Sequence, residues 1–244
     1  MRLWRALVCL FVIALPARAE TVHVAVAANF TAPARVLADL FTQQSGHRII
    51  LSFGSSGQLY AQITQAAPYD VFLSADAQRP AKLLQEGHAV PGTQMTYAIG
   101  KLVLWSRDQR ADTGEAALRR PFAKLAIANP AAAPYGGAAL DVLQRLGLMA
   151  QLQPRLVQGT SIAQTFQFVE TGNAELGFIA LSQIDGGNRG GRWIVPQSLY
   201  EPLLQDGVVT KQGERNHAAR DFMSFLTTPA ARDVITRFGY EVQP

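Results

Sequence analysis

The hydrophobic pattern along the chain alternates between short strand-like runs and longer helix-like runs. Residues 21–28 form an apolar run that predicts a buried strand, and residues 30–45 place Leu37 and Phe41 on one face of a helix. The predicted strands are 21–28, 48–53, 69–75, 96–106, 124–128, 155–158, 175–181 and 202–209, and the predicted helices are 30–45, 58–66, 80–86, 138–146, 162–170, 214–226 and 229–238. This alternation predicts an α/β fold with mainly parallel sheets.

The apolar run at 96–106 divides the predicted elements into two groups. It reads as one long strand that no tight turn returns to the same unit, and the strand-loop-helix order restarts after it. The run at 202–209 then predicts a return crossing. We therefore expect two lobes facing each other across a cleft, the first built from residues 20–98 and 205–244 and the second from residues 99–204.

Four short loops follow predicted strands and open predicted helices, and none of them contains a charged side chain. They are loop 1 (27–30), loop 2 (54–57), loop 3 (133–137) and loop 4 (159–162). A helix start presents unpaired N–H groups and the positive end of the helix dipole, which together attract an anion. In parallel sheets, ligands bind beyond the carboxyl ends of the strands, where these loops lie. Two loops in each half of the chain predict a clamp around a small anion.

For each candidate residue in these loops, the sequence allows both a structural role and a ligand-binding role. Asn29 either caps a helix or offers its amide to a ligand, and Ser55 and Ser56 either close a turn or add two hydroxyl donors. Tyr135 is a candidate donor, aromatic lid or packing residue. At Ile162 the N–H group is the candidate donor, while the side chain is expected to pack.

The absence of charge in the loops narrows the predicted ligand. Hydrogen phosphate carries a proton that needs an acceptor, whereas a fully ionised tetrahedral dianion needs only donors. This favours an ion such as sulfate or molybdate. The four histidines are scattered and Gly54-Ser55-Ser56-Gly57 lacks the G-x-S-x-G pattern, so we predict neither catalytic residues nor metal-ligating side chains.

The amino terminus has the pattern of a secretory signal peptide. Residues 1–19 contain an early positive charge, an apolar run at 7–15 and a small-x-small site at 17–19. Removing them takes away three of the 22 basic residues, which leaves 19 against 18 acidic residues, and it also removes Cys9. A mature chain with almost no net charge and no basic stripe gives no indication of nucleic-acid binding.

Six segments together resemble the molybdate-binding proteins of bacterial ABC importers, which are type II periplasmic binding proteins. The segments are VAVAANF, FGSSGQLYAQI, APYDVFLSAD, TYAIGKLVLWS, IANPAAAPYGGAAL and ELGFIALSQ. The resemblance covers essentially the whole mature chain. It implies two α/β lobes, each a mainly parallel sheet flanked by helices, joined by two crossing strands. It also implies a periplasmic monomer that closes on molybdate or tungstate, uses no cofactor and delivers the ion to an inner-membrane ABC permease.

The resemblance also assigns ligand-binding positions in this sequence. They are the Ala28 backbone, Asn29, Ser56 with Ser55 beside it, Tyr135 and the Ile162 backbone. Many family members have serine where Asn29 stands and a small residue in place of Tyr135, and those members carry a tyrosine donor after the strand that ends here near Ala180. Tyr135 is therefore predicted to replace that donor. A receptor for another oxyanion such as sulfate, or an exported enzyme on the same fold, stays open as an alternative.

Overall fold

The computed structural model describes residues 19–108, 114–184 and 190–242, so the predicted signal peptide lies outside the described residues except for Ala19. The strands are β1 (Thr21–Ala27), β2 (Arg48–Gly54), β3 (Val71–Leu73), β4 (Met95–Gly100), β5 (Leu102–Ser106), β6 (Leu125–Ala128), β7 (Leu156–Gly159), β8 (Leu176–Ala180), β9 (Gly191–Ile194) and β10 (Leu203–Val209). The α-helices are α1 (Thr31–Ser45), α2 (Ser56–Thr64), α3 (Gln78–Gln85), α4 (Pro134–Arg145), α5 (Met149–Leu152), α6 (Ile162–Glu170), α7 (His217–Phe225) and α8 (Pro229–Arg237). None of the helices in these ranges is long and apolar enough to span a membrane.

The strands form two five-stranded sheets, which confirms the predicted two-lobed α/β fold. The first sheet has the order β2-β1-β3-β10-β4 and the second β7-β6-β8-β5-β9. Four strands of each sheet run in the same direction, and the fifth, β10 in the first sheet and β5 in the second, runs antiparallel to both of its neighbours. β5 and β10 are each the first strand after the chain crosses from one lobe to the other. Both sheets are therefore mixed because of these two crossings.

The predicted single strand at 96–106 is wrong, because it breaks into two strands that belong to different sheets. β4 ends at Gly100 in the first sheet and β5 begins at Leu102 in the second. Between them, the Lys101 carbonyl accepts a hydrogen bond of 3.0 Å from the Leu181 N–H group, outside either strand ladder. A continuous apolar run does not reveal such a change of partner, since both halves are buried strands.

The lobes use discontinuous parts of the chain. The first sheet takes its strands from residues 21–100 and 203–209, and the second from residues 102–194. The predicted lobe boundaries near residues 98 and 205 stay predictions. The carboxyl-terminal helices α7 and α8 pack on the first lobe, where α8 contacts α1 and α7 contacts β10.

Each lobe has its own hydrophobic core between its sheet and its helices. The first core includes Val24, Phe30, Leu37, Phe222 and Ile235. The second core includes Leu104, Ile127, Val142, Leu143 and Phe178. Each such side chain contributes roughly 1.5–3 kcal/mol on burial. A further buried cluster in each lobe adds to these cores, and the core of the second lobe also contacts Ala27, Ala28 and Ala75 of the first. The packed cores give the loops at the strand ends a rigid support.

All four loops lie at carboxyl ends of parallel strands. β1 leads into a short 3₁₀ segment at Ala28–Phe30, β2 into α2, β6 into α4 and β7 into α6. Helix α4 was predicted to start at residue 138, but it starts at Pro134, where proline is well tolerated because the first helical N–H has no partner within the helix. Tyr135 therefore lies in the first turn of a helix, so its N–H group is one that the helix leaves unpaired.

Candidate ligand-binding site

A small cavity lies where the four loops meet. It is lined by Ala27, Ala28, Asn29, Ser55, Ser56, Ala75, Ala133, Pro134, Tyr135 and Ile162, which include all six predicted ligand-binding residues. The space open to the centre of a water-sized sphere is about 10 Å³. The four oxygen centres of a tetrahedral oxyanion enclose only a few cubic ångströms, roughly within that space. Among the described residues that line the cavity, none carries a charged side chain.

Backbone N–H groups from both lobes converge on this cavity. Ser56 and Ile162 are the first residues of α2 and α6, and Tyr135 is the second residue of α4. A helix cannot bond its first N–H groups, and within the described part of the chain these three N–H groups have no turn or loop acceptor. The dipoles of the three helices also place their positive ends at the cavity. The arrangement can therefore bind an anion with neutral donors only.

The two serines of loop 2 have different roles. The Ser55 hydroxyl accepts from the Gln58 N–H at 3.3 Å, and the Gln58 side chain accepts from the Ser55 N–H at 3.2 Å, so Ser55 forms a capping box. The Ser56 hydroxyl accepts from the Ala75 N–H at 3.0 Å. Because an acceptor position of the Ser56 oxygen is filled in this way, its own proton is free to donate to a ligand. Ser56 is thus the stronger candidate for side-chain contact.

The side-chain amide of Asn29, a predicted ligand donor, binds other side chains of the protein instead. Its amide nitrogen donates to Gln205 Oε1 at 2.7 Å and to the Tyr240 hydroxyl at 2.9 Å. The Gln205 amide donates to the Leu203 and Ala75 carbonyls at 2.9 and 3.3 Å, which fixes which end of Gln205 faces Asn29. Both amide protons of Asn29 are therefore used within the protein, and its backbone N–H is the group left for a ligand.

A buried polar network behind loop 1 was missed by the sequence reading. The Ser182 hydroxyl donates to the Asn29 carbonyl at 2.8 Å, and the Tyr240 hydroxyl donates to the same carbonyl at 2.9 Å. Gln205 is fully buried in β10, and Ser182 and Tyr240 are nearly so. Gln205 stands inside an apolar strand, and this pattern in the sequence indicates a buried polar contact. The sequence does not show which residues contact it, because they come from distant segments.

The Tyr135 hydroxyl lies at the crossing between the sheets. It is buried and makes no well-formed hydrogen bond with the described residues, although the Tyr240 hydroxyl is close enough to interact with it. A Cβ atom added to Gly100 would overlap it, and the same Cβ would come within 3.1 Å of the Gln205 amide nitrogen. Burial, and then the nearby Tyr240 hydroxyl, raise the pKa of Tyr135 well above its ordinary value, so the phenol is neutral. This geometry favours packing by the ring and donation by the backbone N–H.

No metal-binding cluster accompanies this site in the parts of the chain that the structure describes. In those parts, no group of three or more His, Cys, Asp or Glu side chains is placed to hold a metal ion. The chemistry available in the cavity is therefore hydrogen-bond donation from backbone N–H groups and the Ser56 hydroxyl.

Two α/β lobes closed over a small cavity, with helix amino termini directed into it, define a type II periplasmic binding protein. The family model for bacterial extracellular solute-binding proteins matches residues 22–241. The chain belongs to this family.

Its relatives of known identity are binding proteins. The chain is 51% identical over 236 residues to the molybdate-binding protein ModA of Rhodobacter capsulatus, covering 96% of this chain and 94% of that protein. It is 50% identical over 236 residues to ModA of Azotobacter vinelandii, covering 95% and 94%. The solved structure of the Azotobacter vinelandii periplasmic molybdate-binding protein matches with a TM-score of 0.88 at 41% identity, covering 91% of this chain and all of that one.

Proposed function

We propose that this protein is the periplasmic receptor of a molybdate ABC importer, which captures molybdate by lobe closure and presents it to an inner-membrane permease. The observation that carries the proposal is the convergence of unpaired helix N–H groups, from both lobes, on an uncharged cavity of oxyanion size. Half-identical relatives named as molybdate-binding proteins support the choice of ion.

The energetics of such a site suit a dianion. A hydrogen bond to a charged group contributes about 1.5–3 kcal/mol, and several donors can share one small ion. Ser56 belongs to the first lobe, while Tyr135 and Ile162 belong to the second. Because the full set of donors assembles only when the lobes are together, the bound ion stabilises the closed form relative to the open one.

Selectivity follows from what the site lacks. The described residues that line the cavity include no carboxylate or imidazole to accept a proton from hydrogen phosphate. A buried acid proton without an acceptor is unfavourable, so phosphate is expected to bind weakly. Tungstate presents the same charge and shape as molybdate and is expected to bind as well. Sulfate also carries no proton but is smaller than molybdate, so a receptor whose lobes close on molybdate is expected to hold sulfate less tightly.

The proposed periplasmic setting is supported by the amino terminus and by a relative. The predicted signal peptide is expected to direct the chain out of the cytoplasm, and the matching Azotobacter vinelandii structure is of a periplasmic protein. The mature protein is expected to act as a monomer, with no cofactor beyond the transported oxyanion.

Titration of the mature chain with a panel of oxyanions tests the proposal. Molybdate, tungstate, sulfate and phosphate are added at matched ionic strength, and binding is followed by calorimetry and by thermal unfolding. A ligand at one hundred times its Kd stabilises by about 2.7 kcal/mol, which corresponds to a rise in Tm of roughly 5–10 °C for a protein of this size. The expected result is such a rise with molybdate and tungstate. A rise with sulfate alone would contradict the proposal.

A further inference from the structure

Two hydrogen bonds at the edge of the cleft join the lobes outside the ligand cavity. The Gly57 N–H donates to the Ala132 carbonyl at 2.9 Å, and Arg79 Nη2 donates to the Ala131 carbonyl at 2.9 Å. Both donors belong to helices of the first lobe, and both acceptors belong to the turn that leads into loop 3 of the second. These bonds exist only while the lobes are together, so each contributes to the closed form alone.

The acceptor turn is held rigid before the lobes meet. The Asn129 carbonyl accepts from the N–H groups of Ala132 and Ala133 at 3.1 and 2.9 Å, and Asn129 Oδ1 accepts from the Ala131 N–H at 3.0 Å. With its own N–H groups used inside the turn, the segment presents the Ala131 and Ala132 carbonyls to the opposite lobe. Preformed acceptors lose little entropy when a donor arrives.

The donor is also oriented in advance. Asp76 accepts from the Arg79 N–H at 2.8 Å and forms an ion pair with Arg79 Nη1, which leaves Nη2 to reach across the cleft. The side chains are only 22% and 15% exposed for Arg79 and Asp76, respectively. Fixing a planar guanidinium in this way removes most of the rotational freedom that normally weakens an exposed ion pair.

Arg79 also lines two cavities next to the ligand cavity. It lines a cavity of about 420 Å³ that shares Ala75 and Pro134 with the ligand cavity, and a second cavity of about 340 Å³ on the side of Lys82. Its Nη2 would be 3.4 Å from a Cβ atom on Gly57, the neighbour of Ser56. The guanidinium is thus beside the ligand-binding loop without lining the ligand cavity.

We propose that Arg79, oriented by Asp76, is a positioning residue that holds the lobes closed through the Ala131 carbonyl and thereby sets the rate at which the oxyanion is released. The inference rests on the proposed function for the identity of the ion. The clamp itself involves only groups of the protein and can be measured without a ligand.

Release kinetics give the first test. Radiolabelled molybdate is bound to the wild type and chased with excess unlabelled ion. Arg79→Ala is expected to raise the dissociation rate about tenfold, the effect of one lost hydrogen bond to a charged group. Arg79→Lys keeps the charge but lacks the planar fork that bonds Asp76 and Ala131 together, so it is also expected to release faster than the wild type.

The matched control is Lys82→Ala. Lys82 is three residues further along α3, lines one of the same cavities and is 59% exposed. It forms an ion pair with Glu86, the residue that follows α3 in the same lobe. Lys82→Ala removes one positive charge, as Arg79→Ala does, but it removes no hydrogen bond between the lobes. We expect it to leave the dissociation rate of molybdate nearly unchanged. Equal acceleration by Lys82→Ala and Arg79→Ala would overturn the proposal, as would unchanged release in Arg79→Ala. Melting of the ligand-free variants checks that both are folded.

Distances between the lobes give a second test that needs no ligand. Spin labels are attached to Gln85→Cys in α3 and Gln144→Cys in α4, both exposed positions, in a mature chain that has no cysteine once Cys9 is removed. Arg79→Ala is expected to shift the distance distribution towards longer distances, with and without molybdate. Distributions identical to those of the wild type would overturn the clamp. Failure of the wild type to bind molybdate would instead contradict the proposed function.

Discussion

Replacing Gly57 with alanine should weaken ligand binding by obstructing closure of the lobes. Gly57 lies in the first turn of α2, one residue after Ser56. A Cβ atom there would lie 3.0 Å from the Ala132 Cα and 3.1 Å from the Ala132 carbonyl oxygen. Both atoms are backbone of the opposite lobe, in a turn fixed by Asn129, so they cannot move aside as a flexible side chain would.

The magnitude follows from comparing the two states of the lobes. Overpacking by one methyl group costs about 1–3 kcal/mol in a well-packed contact. In the open form the contact is absent, and alanine is favoured over glycine in a helix by roughly 0.5–1 kcal/mol in either form. The added methyl group therefore opposes closure without destabilising the folded lobes, and it should raise the Kd for molybdate by about 5- to 150-fold.

Calorimetric titration and ligand-free thermal unfolding measure the two effects separately. The matched control is Gly137→Ala in α4, where an added Cβ meets no atom within 4 Å. We expect Gly57→Ala to lose affinity while its ligand-free Tm stays the same or rises, and Gly137→Ala to keep its affinity. A wild-type Kd in Gly57→Ala would refute the reasoning, and so would a loss of affinity matched by a loss of ligand-free stability.

Four further predictions concern the site and the network behind it. Ser56→Ala should weaken molybdate binding by about 1–3 kcal/mol, because a donor to the anion is lost; unchanged calorimetric affinity would remove Ser56 from the site. Tyr135→Phe should keep affinity within about 0.5 kcal/mol and leave Tm equal or higher, because the hydroxyl makes no well-formed hydrogen bond; a loss above about 1 kcal/mol would instead identify that hydroxyl as a donor. Gln205→Leu should lower both ligand-free stability in denaturant and affinity by about 1–3 kcal/mol each, since it frees the Asn29 amide; unchanged values would contradict a positioning role. Burial raises the pKa of Tyr240, so the unfolded chain loses this proton first, and denaturant stability should fall as the pH rises above about 10; a flat profile there would contradict it.

The sequence predicted which loops would meet at one cavity because the signals for these loops are local. Ser56, Tyr135 and Ile162 follow strand-like runs and open helix-like ones, and the position of a loop at a strand end depends only on that order. The lack of charge in these loops is likewise readable from the chain. For the same reason the two-lobed α/β class and the family resemblance were correct, whereas the break at Lys101 was missed, because both halves of that run are buried strands.

The side-chain roles were decided by tertiary structure. For Asn29 the sequence left a helix cap and a ligand contact through the amide as alternatives. In the structure, Gln205 and Tyr240, which are 176 and 211 residues away in the chain, accept both protons of that amide. Similarly, the Tyr135 hydroxyl lies against the Gly100 backbone, and the sequence alone does not reveal this contact.

By itself, the sequence determined the class of fold, and it predicted which loops form the candidate site and that these loops carry no charged side chain. Each of these depends on short-range patterns of apolar, small and polar residues. Only the tertiary structure decided which donors remain free, that the donors of both lobes meet in one cavity, and that Arg79 reaches the Ala131 carbonyl. Those outcomes depend on contacts between residues far apart in the chain, whose partners are set by how the two lobes pack and close.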